Sequence, residues 1–332
     1  MLNRRIALAH GALLMTAPLR SFAAAPEPAA RVGASAIRFA SVAQARAVLG
    51  ADDDWVAATG AFHRSATLGV NTPVSRDQLR AFCADAVLPW SPALEGRWRK
   101  ALATIAPRFN EWRLPLPPEV LLIHSNGRDA ANAPYTRQNA VVLPVEAMPS
   151  DDPRADVFVL SHELFHVVSR HASGLATTLY ALIGFEPVAP LQWPAEWVEL
   201  RIANPDATHD RHLMRTTLNG RAVALMPLLV ARRAELKPGE TFFDVLDVRL
   251  LEVNVGDATL PVRRDGQPVW HAPEAVPEYL ARLGGNTEYI FHPEETMADN
   301  FALLVSSRPV PNPGLLKRIE AVLGANAKRS AA

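Results

Sequence analysis

The sequence is poor in cysteine and has no excess charge, and each absence excludes a class of protein. Its 332 residues include a single cysteine, Cys83, which excludes an intramolecular disulfide framework and a cysteine-rich metal cluster. Lys and Arg together number 34 and Asp and Glu together number 34, so the formal net charge is zero. A chain without excess positive charge lacks a general electrostatic attraction for nucleic acid or anionic lipid. We therefore expect no nucleic-acid partner.

Long apolar runs are also missing, apart from a stretch near the N-terminus. Arg4 and Arg5 are followed by a mostly apolar stretch over 6–19 and by three alanines, 23–25. A basic start, an apolar centre and a small-residue cleavage site are the parts of a secretory signal peptide. We predict that residues 1–25 are a cleavable signal peptide and that the protein is exported, to the periplasm or out of the cell. The apolar stretch is short for a bilayer, so we expect no stable membrane insertion of the mature chain.

The composition and the apolar patterns predict a folded α+β protein. Hydrophobic residues make up 49% and charged residues 20%, which excludes wholesale disorder. We predict a linker over 26–35, a helical region over 36–118, and a unit over 119–207 with a small sheet and a long helix. A β-rich insertion over 208–272 and C-terminal helices over 273–332 follow.

Individual elements follow from the spacing of apolar residues. Helices are predicted over 41–49, 75–87, 93–109, 154–171, 175–183, 277–283, 293–305 and 314–323. Strands are predicted over 119–124, 139–143, 212–218, 221–230 and within 242–255. The dipeptides Asn219-Gly220 and Asp265-Gly266 predict tight hairpin turns.

The most informative feature is His162-Glu163-Leu164-Phe165-His166, which lies inside a predicted helix. Residues four apart lie on one helix face, so both imidazoles can reach a single ion. Neutral imidazole suits zinc, and a catalytic zinc usually has three protein ligands and one position for water. Glu163 can reach such a water without being a ligand. The apolar flanks predict a buried helix, in which a bound cation would offset the cost of burying these polar groups.

A third ligand has to come from elsewhere in the chain. Ser169 and Ala172 occupy the positions of the glycine and third histidine in the extended metzincin motif, which disfavours that arrangement. The stretch 292–301 offers a carboxylate instead, because Pro293 begins a predicted helix that carries Glu295 and Asp299. If Glu295 meets the ion, Asp299 lies one turn along and can accept the free ring N–H of a zinc-bound histidine.

Three other glutamates compete for the role of third ligand. Glu294 is adjacent to Glu295 but has no aspartate four residues further on. Glu196 and Glu199 lie nearer to His166 in the sequence and also lack that aspartate. The 128 residues between His166 and Glu295 form a long spacer, which the predicted insertion explains. The accompanying aspartate therefore favours Glu295.

Together, the HExxH pentapeptide and the later E-x-x-A-D sequence over 295–299 resemble the gluzincin branch of zinc metallopeptidases. The resemblance implies Zn²⁺ ligands at His162, His166 and Glu295. It also implies that Glu163 is the general base and that Asp299 orients a zinc-bound histidine. A zincin-like α+β fold is expected, with its core in 119–207 and the third zinc ligand in 273–332.

The sequence also offers candidates for residues that handle a substrate. Zinc peptidases of this kind commonly pair an extended peptide with an edge strand that precedes the zinc helix. The strand predicted over 139–143 stands in that place, and a plain core strand is the alternative. A donor that stabilises the oxyanion is also expected, and the candidates are Tyr289, His292, His209 and His212.

The sequence therefore predicts an exported zinc metallopeptidase that hydrolyses peptide or protein substrates with a zinc-activated water. Two alternatives keep the metal: a non-catalytic scaffold or binding protein stabilised by zinc, and a zinc hydrolase of a non-peptide amide bond. A metal-free exported module is a third alternative. The sequence does not indicate an oligomeric state.

Overall fold

The computed structural model describes residues 27–145, 148 and 152–329, and the predicted signal peptide lies outside them. Within this part, the chain has the mixed α+β architecture that the helical and strand patterns predict. No helix in the described part is both long and apolar enough to cross a lipid bilayer.

The strands and helices are numbered in chain order. The strands are β1 (Ala30–Val32), β2 (Ser35–Phe39), β3 (Glu119–His124), β4 (Tyr135–Arg137), β5 (Ala140–Leu143), β6 (Phe185–Pro187), β7 (His212–Leu218), β8 (Arg221–Ala231), β9 (Leu246–Val255), β10 (Thr259–Pro261), β11 (Arg263–Arg264), β12 (Gln267–Pro268) and β13 (Trp270–His271). The α-helices are α1 (Val42–Leu49), α2 (Asp54–Ala58), α3 (Ala61–Thr67), α4 (Arg76–Ala84), α5 (Pro92–Glu111), α6 (Pro153–His171), α7 (Ser173–Ala181), α8 (Phe242–Val245), α9 (Pro277–Leu283), α10 (Pro293–Val305) and α11 (Pro313–Arg329). Short 3₁₀ helices span Ala195–Leu200 and Pro273–Ala275.

A five-stranded sheet supports the helix that contains the HExxH pentapeptide. Its strand order is β1-β2-β3-β5-β4, with β3 parallel to β2 and β5 and with antiparallel pairs at both edges. Val120 and Leu122 of β3 pack with α5 and α6, whereas Leu121 and Ile123 pack with α1 and α4. Because successive side chains point to opposite faces, a strand covered on both faces is apolar throughout, as 119–124 is.

Of the two alternatives for 139–143, the structure shows the core strand and not the edge strand. β5 lies between β3 and β4, and all four of its residues are buried. The edge is β4, which precedes β5 through a tight turn at Gln138, whose φ is 53°. A strand of three residues inside a polar loop is too short to produce a recognisable alternation, so the sequence pattern did not indicate it.

The described part of the segment predicted as a linker over 26–35 contributes to the sheet instead. β1 pairs antiparallel with the start of β2 around a turn at Gly33, where φ is 57°. Val32 and Ile37 are buried in the same core as α5. The small residues around them leave no recognisable strand pattern. The short helices α2 and α3 were not predicted either, because one or two helical turns show no clear period.

α6 and α10 pack against each other in the centre of the molecule. α6 begins after Asp152, whose side chain accepts a hydrogen bond from a backbone N–H of the first turn. α10 has a proline in its first turn, and its residues from Pro293 to Ala302 are all buried. The ring of Phe301 lies 5.3 Å from that of Phe165 and 5.5 Å from that of Phe109, which joins α10 to α6 and α5.

The predicted β-rich insertion forms an antiparallel sheet of six strands. The strand order is β10-β9-β8-β7-β6, and β13 also pairs with β9. Asn219 and Gly220 have φ of 50° and 76°, which is the conformation of the tight turn predicted there. The sheet starts before 208 because β6 pairs with β7, and Phe242–Val245 is a short helix rather than part of a strand.

His63 on α3 is buried and stays neutral in the folded protein. Burial, with smaller contributions from nearby arginines, lowers its pKa from 6.5 to about 4. Its Nδ1 accepts a hydrogen bond of 3.2 Å from the backbone N–H of Ala203, which requires an unprotonated nitrogen. In the unfolded chain the imidazole takes up a proton below about pH 6.5, so the folded state loses stability as the pH falls from about 6.5 to about 4.

We expect His63→Gln to weaken this acid sensitivity, because an amide oxygen can accept the same hydrogen bond but does not titrate. The fall in unfolding free energy between pH 7 and pH 4 should be smaller in the variant by up to about 3 kcal/mol. Urea unfolding at several pH values measures it. His171→Gln, at the exposed end of α6, controls for the loss of a histidine. Equal pH dependence in wild type and His63→Gln would contradict the prediction.

Candidate metal centre

α6 presents both histidines of the pentapeptide on one face. His162 and His166 are four residues apart, and their ring centroids are 4.8 Å apart. The side chain of His162 is 12% exposed and that of His166 is fully buried. Two imidazoles held this close in the interior can share one positive ion.

α10 brings the carboxylate of Glu295 to the same point. Its Oε2 lies 3.2 Å from Nε2 of His162 and 3.6 Å from Nε2 of His166. Ligand atoms at the corners of a tetrahedron with metal–ligand bonds near 2.0–2.1 Å are separated by about 3.3 Å. One ligand atom from each of the three side chains lies within 4.8 Å of the others, so the cluster could hold a metal ion.

The site also contains buried polar atoms that no described residue satisfies. Nε2 of His166 and Oε2 of Glu163 have no hydrogen-bond partner within the described part of the chain. Leaving such groups unpaired in the interior costs free energy. An ion at the centre of the cluster would satisfy Nε2 of His166. The three side chains therefore suit a metal ion better than they suit a plain salt bridge.

Asp299 holds His162 in the orientation that a ligand needs. Its Oδ1 lies 2.8 Å from Nδ1 of His162 and accepts the ring N–H, so Nε2 is directed toward Glu295. The other oxygen of Asp299 accepts a hydrogen bond from the hydroxyl of Thr287. Asn204 donates to the second oxygen of Glu295, which leaves Oε2 facing the imidazoles. These contacts restrict the ligand atoms to one arrangement.

Glu294 has the equivalent role for the other histidine. Its Oε1 accepts the Nδ1–H of His166 at 2.7 Å, and hydroxyl groups of Ser169 and Tyr180 also donate to this carboxylate. Glu294 therefore faces the site from outside and is not the third ligand. In the sequence alone, Glu294 is only a competitor of Glu295, because its partner His166 is recognisable only once α6 and α10 are packed.

The remaining competitors lie away from the cluster. Glu196 forms an ion pair of 2.7 Å with Arg263, and Glu199 accepts a hydrogen bond from the backbone N–H of Ala61. Both therefore have partners of their own outside the site.

The carboxylates around the imidazoles favour their charged form. Burial alone would lower the pKa of His162, but hydrogen bonds to Asp299 and Glu295 hold it well above its usual value. Burial likewise acts against charge on His166, and the carboxylates of Asp206 and Glu295 raise its pKa to about 9. The surroundings of the two imidazoles therefore favour positive charge at this point.

Glu163 is the next residue after His162 on α6, and its surroundings disfavour its charged form. Burial, followed by the nearby carboxylate of Asp206, raises the pKa of Glu163 to about 8. A carboxyl group that changes its protonation near neutral pH is suited to proton transfer.

The fold places one of the four candidate oxyanion donors at the metal cluster and the other three at a different cavity. The ring of Tyr289 lies 6.0 Å from that of His162, and burial raises the pKa of its hydroxyl to about 12, so it remains a donor. His292 accepts a backbone hydrogen bond at the start of α10, His209 pairs with Asp54, and His212 packs against Tyr180. These three histidines line a different cavity, so only Tyr289 among the four candidates faces the site.

A cavity of about 560 Å³, here called the metal-site cavity, opens beside Glu163 and Tyr289. Its walls are mostly apolar and aromatic, and they include Tyr135, Phe158, Val159, Phe242, Phe243 and Phe291. A cavity of this size can hold a side chain and part of a peptide backbone.

Residues 203–206, here called the dividing loop, were not singled out by the sequence. Asp206 offers an oxygen within 4.8 Å of ligand atoms of Glu163 and His166. Its Oδ1 also accepts hydrogen bonds from the backbone N–H of Thr136, at 2.7 Å, and from the hydroxyl of the same residue. An Asn-Pro-Asp sequence indicates a turn, but nothing in it indicates that the turn ends at the HExxH helix.

Comparison with protein-family models, with curated proteins and with solved structures finds no match to this chain.

We expect His166→Ala to lose bound metal, because it removes one of the three clustered ligand atoms. The metal-to-protein ratio after purification without chelators, measured by plasma mass spectrometry, should fall well below that of the wild type. Glu196→Gln is the matched control, since its ion pair with Arg263 lies outside the site. A His166→Ala protein that retains a full equivalent of metal would contradict the assignment.

We expect Glu294→Gln to keep the metal but bind it more weakly. The amide is a poorer acceptor for the ring N–H of His166, and loss of such a supporting contact typically weakens metal affinity about 10-fold to 100-fold. Titration against a chromophoric chelator measures the dissociation constant, and the melting temperature shows whether the fold is kept. Unchanged affinity in a folded variant would show that Glu294 does not orient the ligand.

Proposed function

We propose that the protein is a zinc-dependent metallopeptidase. The observation that carries the proposal is the buried cluster of His162, His166 and Glu295, with Glu163 beside it and a cavity in front of it. Two imidazoles and one carboxylate are a donor set typical of catalytic zinc, which leaves a coordination position for water. When bound, zinc would polarise a scissile carbonyl and lower the pKa of the water.

The fold supports this proposal through the placement of its elements. The HExxH helix packs on a mixed sheet with parallel strands at its centre and antiparallel pairs at both edges, and the later helix α10 supplies the third carboxylate. The resemblance to gluzincins implies a third carboxylate on a later helix, and on this feature we base a zincin-like description of the core.

The protein residues around the cluster have distinct roles in the proposed reaction. Glu163, buried and with one oxygen unpartnered among the described residues, takes the proton of the attacking water and delivers it to the leaving amine. The hydroxyl of Tyr289 is placed to donate to the oxygen that becomes negatively charged. Asp299 and Glu294 position the histidines and do not touch the substrate.

The setting of the reaction follows from the N-terminal sequence. With residues 1–25 as a signal peptide, we propose that the enzyme acts on peptides or proteins outside the cytoplasm. The alternative of a non-catalytic metal site is favoured by one observation, the dividing loop, since Asp206 occupies the outward backbone N–H of the edge strand. The cavity beside Glu163 favours catalysis instead.

We expect Glu163→Gln to retain zinc and lose hydrolysis. The amide is isosteric but cannot accept the proton of the water, so kcat should fall by about 100-fold to 10,000-fold. Zinc-loaded wild type and variant are compared on a library of quenched peptides and aminoacyl arylamides, with Glu196→Gln as control. Full activity in Glu163→Gln would contradict the mechanism. A wild type that holds zinc and cleaves no substrate would favour the non-catalytic alternative.

A further inference from the structure

The metal-site cavity is closed at one end by the dividing loop. Pro205 and Asp206 line this cavity and also a second cavity of about 630 Å³ behind the loop, so they form the wall between the two. The backbone of Ala203 is held by hydrogen bonds with Trp55 and His63, and Asn204 donates to Glu295. The wall is therefore anchored at several points.

The dividing loop also occupies part of the outer edge of β4, along which an extended peptide would pair. The outward backbone N–H of Thr136, in the middle of β4, already donates to Asp206 at 2.7 Å. A peptide that continued along β4 in both directions would have to displace this contact. The cleft is thus suited to receive the end of a peptide rather than its middle.

The charges at the closed end indicate which end of a peptide fits. Several carboxyl-bearing residues line the metal-site cavity, among them Asp206, Glu163 and Asp129, whereas no lysine or arginine occurs among its described lining residues. Apart from the imidazole of His162, which belongs to the metal cluster, a free carboxylate would find no positively charged side chain in the described lining. An α-ammonium group would find the second oxygen of Asp206, which accepts no hydrogen bond from the described residues.

The distances between Asp206 and the metal cluster fit a peptide whose first residue carries the carbonyl group that reacts. An oxygen of Asp206 lies within 4.8 Å of a carboxylate oxygen of Glu163 and of a ring nitrogen of His166. In an amino acid, the α-nitrogen and the carbonyl carbon are about 2.5 Å apart, and each further residue adds about 3.3–3.6 Å. An ammonium that donates to Asp206 therefore brings the first carbonyl, rather than the second or third, to the metal cluster.

We propose that the enzyme is an aminopeptidase that removes one apolar or aromatic residue from a free peptide N-terminus, with Asp206 as the anchor of the α-ammonium group. The proposal rests on the metallopeptidase function proposed above. The C–N bond of the first peptide link breaks, the oxygen of water bonds to the carbonyl carbon, and a proton from water goes to the leaving amine. The side chain of the removed residue occupies the aromatic part of the cavity, near Phe158, Phe243 and Phe291.

The first test compares free and N-acetylated phenylalanyl and leucyl arylamides on the zinc-loaded wild type. We expect cleavage of the free compounds only. Cleavage of both forms at equal rates, or cleavage only of longer peptides blocked at both ends, would overturn the aminopeptidase assignment and leave the metallopeptidase function standing. A protein that cleaves neither these compounds nor any library peptide would overturn both.

The second test replaces the anchor by Asp206→Asn, which keeps an oxygen for the N–H of Thr136 but removes the charge. Loss of a hydrogen bond to a charged group predicts a KM for free phenylalanyl arylamide about 10-fold to 100-fold higher, with kcat changed much less. Asp54→Asn, at an exposed carboxylate of the second cavity, is the control. Equal KM values in a folded, zinc-loaded Asp206→Asn protein would overturn the role of Asp206.

A binding measurement separates recognition from turnover. Calorimetric titration of the zinc-loaded Glu163→Gln protein with phenylalaninamide and with its N-acetyl derivative should show at least about 10-fold tighter binding of the free amine. Asp206→Asn introduced into the same protein should remove the difference. Equal affinity for the two compounds would contradict an ammonium anchor, whatever the rate of hydrolysis.

Discussion

The packing of α10 against α6 is the contact on which the candidate site depends. It buries two imidazoles and three carboxylates between the helices, and charged groups are stable in such surroundings only when each has a partner. Asp299 and Glu294 each accept a ring N–H from one histidine, which leaves both Nε2 atoms directed at Glu295. The apolar contacts of Phe301 with Phe165 and Phe109 hold the helices at the separation that these bonds need.

The dividing loop adds a second constraint, because it connects distant parts of the chain at the site. Trp55 and His63 come from the N-terminal helices, Thr136 from the edge strand, and the loop itself leads into the second sheet. Asn204 and Asp206 reach the metal cluster from this loop. The β-rich insertion is thus more than a spacer between the two motifs, since the segment that precedes it forms one wall of the cavity.

Much of the fold could be predicted where the local pattern is long and regular. The continuous apolar strand 119–124, the helices over 154–171 and 293–305, and the turn at Asn219-Gly220 all have counterparts within a few residues of the predicted bounds. Elements that are short or that have a biased composition were not predicted. β4 has three residues in a polar loop and β1 lies in a stretch of small residues, and so neither of the two edge strands was predicted.

The sequence by itself determined the residue types and spacings that a helix face imposes: two histidines one turn apart, and a glutamate followed by an aspartate one turn later. Helical geometry is local, so these relations need no knowledge of the rest of the chain. Only the tertiary structure decided which glutamate meets the histidines, that Glu294 supports His166, and that Asp206 stands beside Glu163. Those relations join residues from about 40 to more than 120 positions apart, and they depend on the burial and packing of whole elements, which no local pattern records.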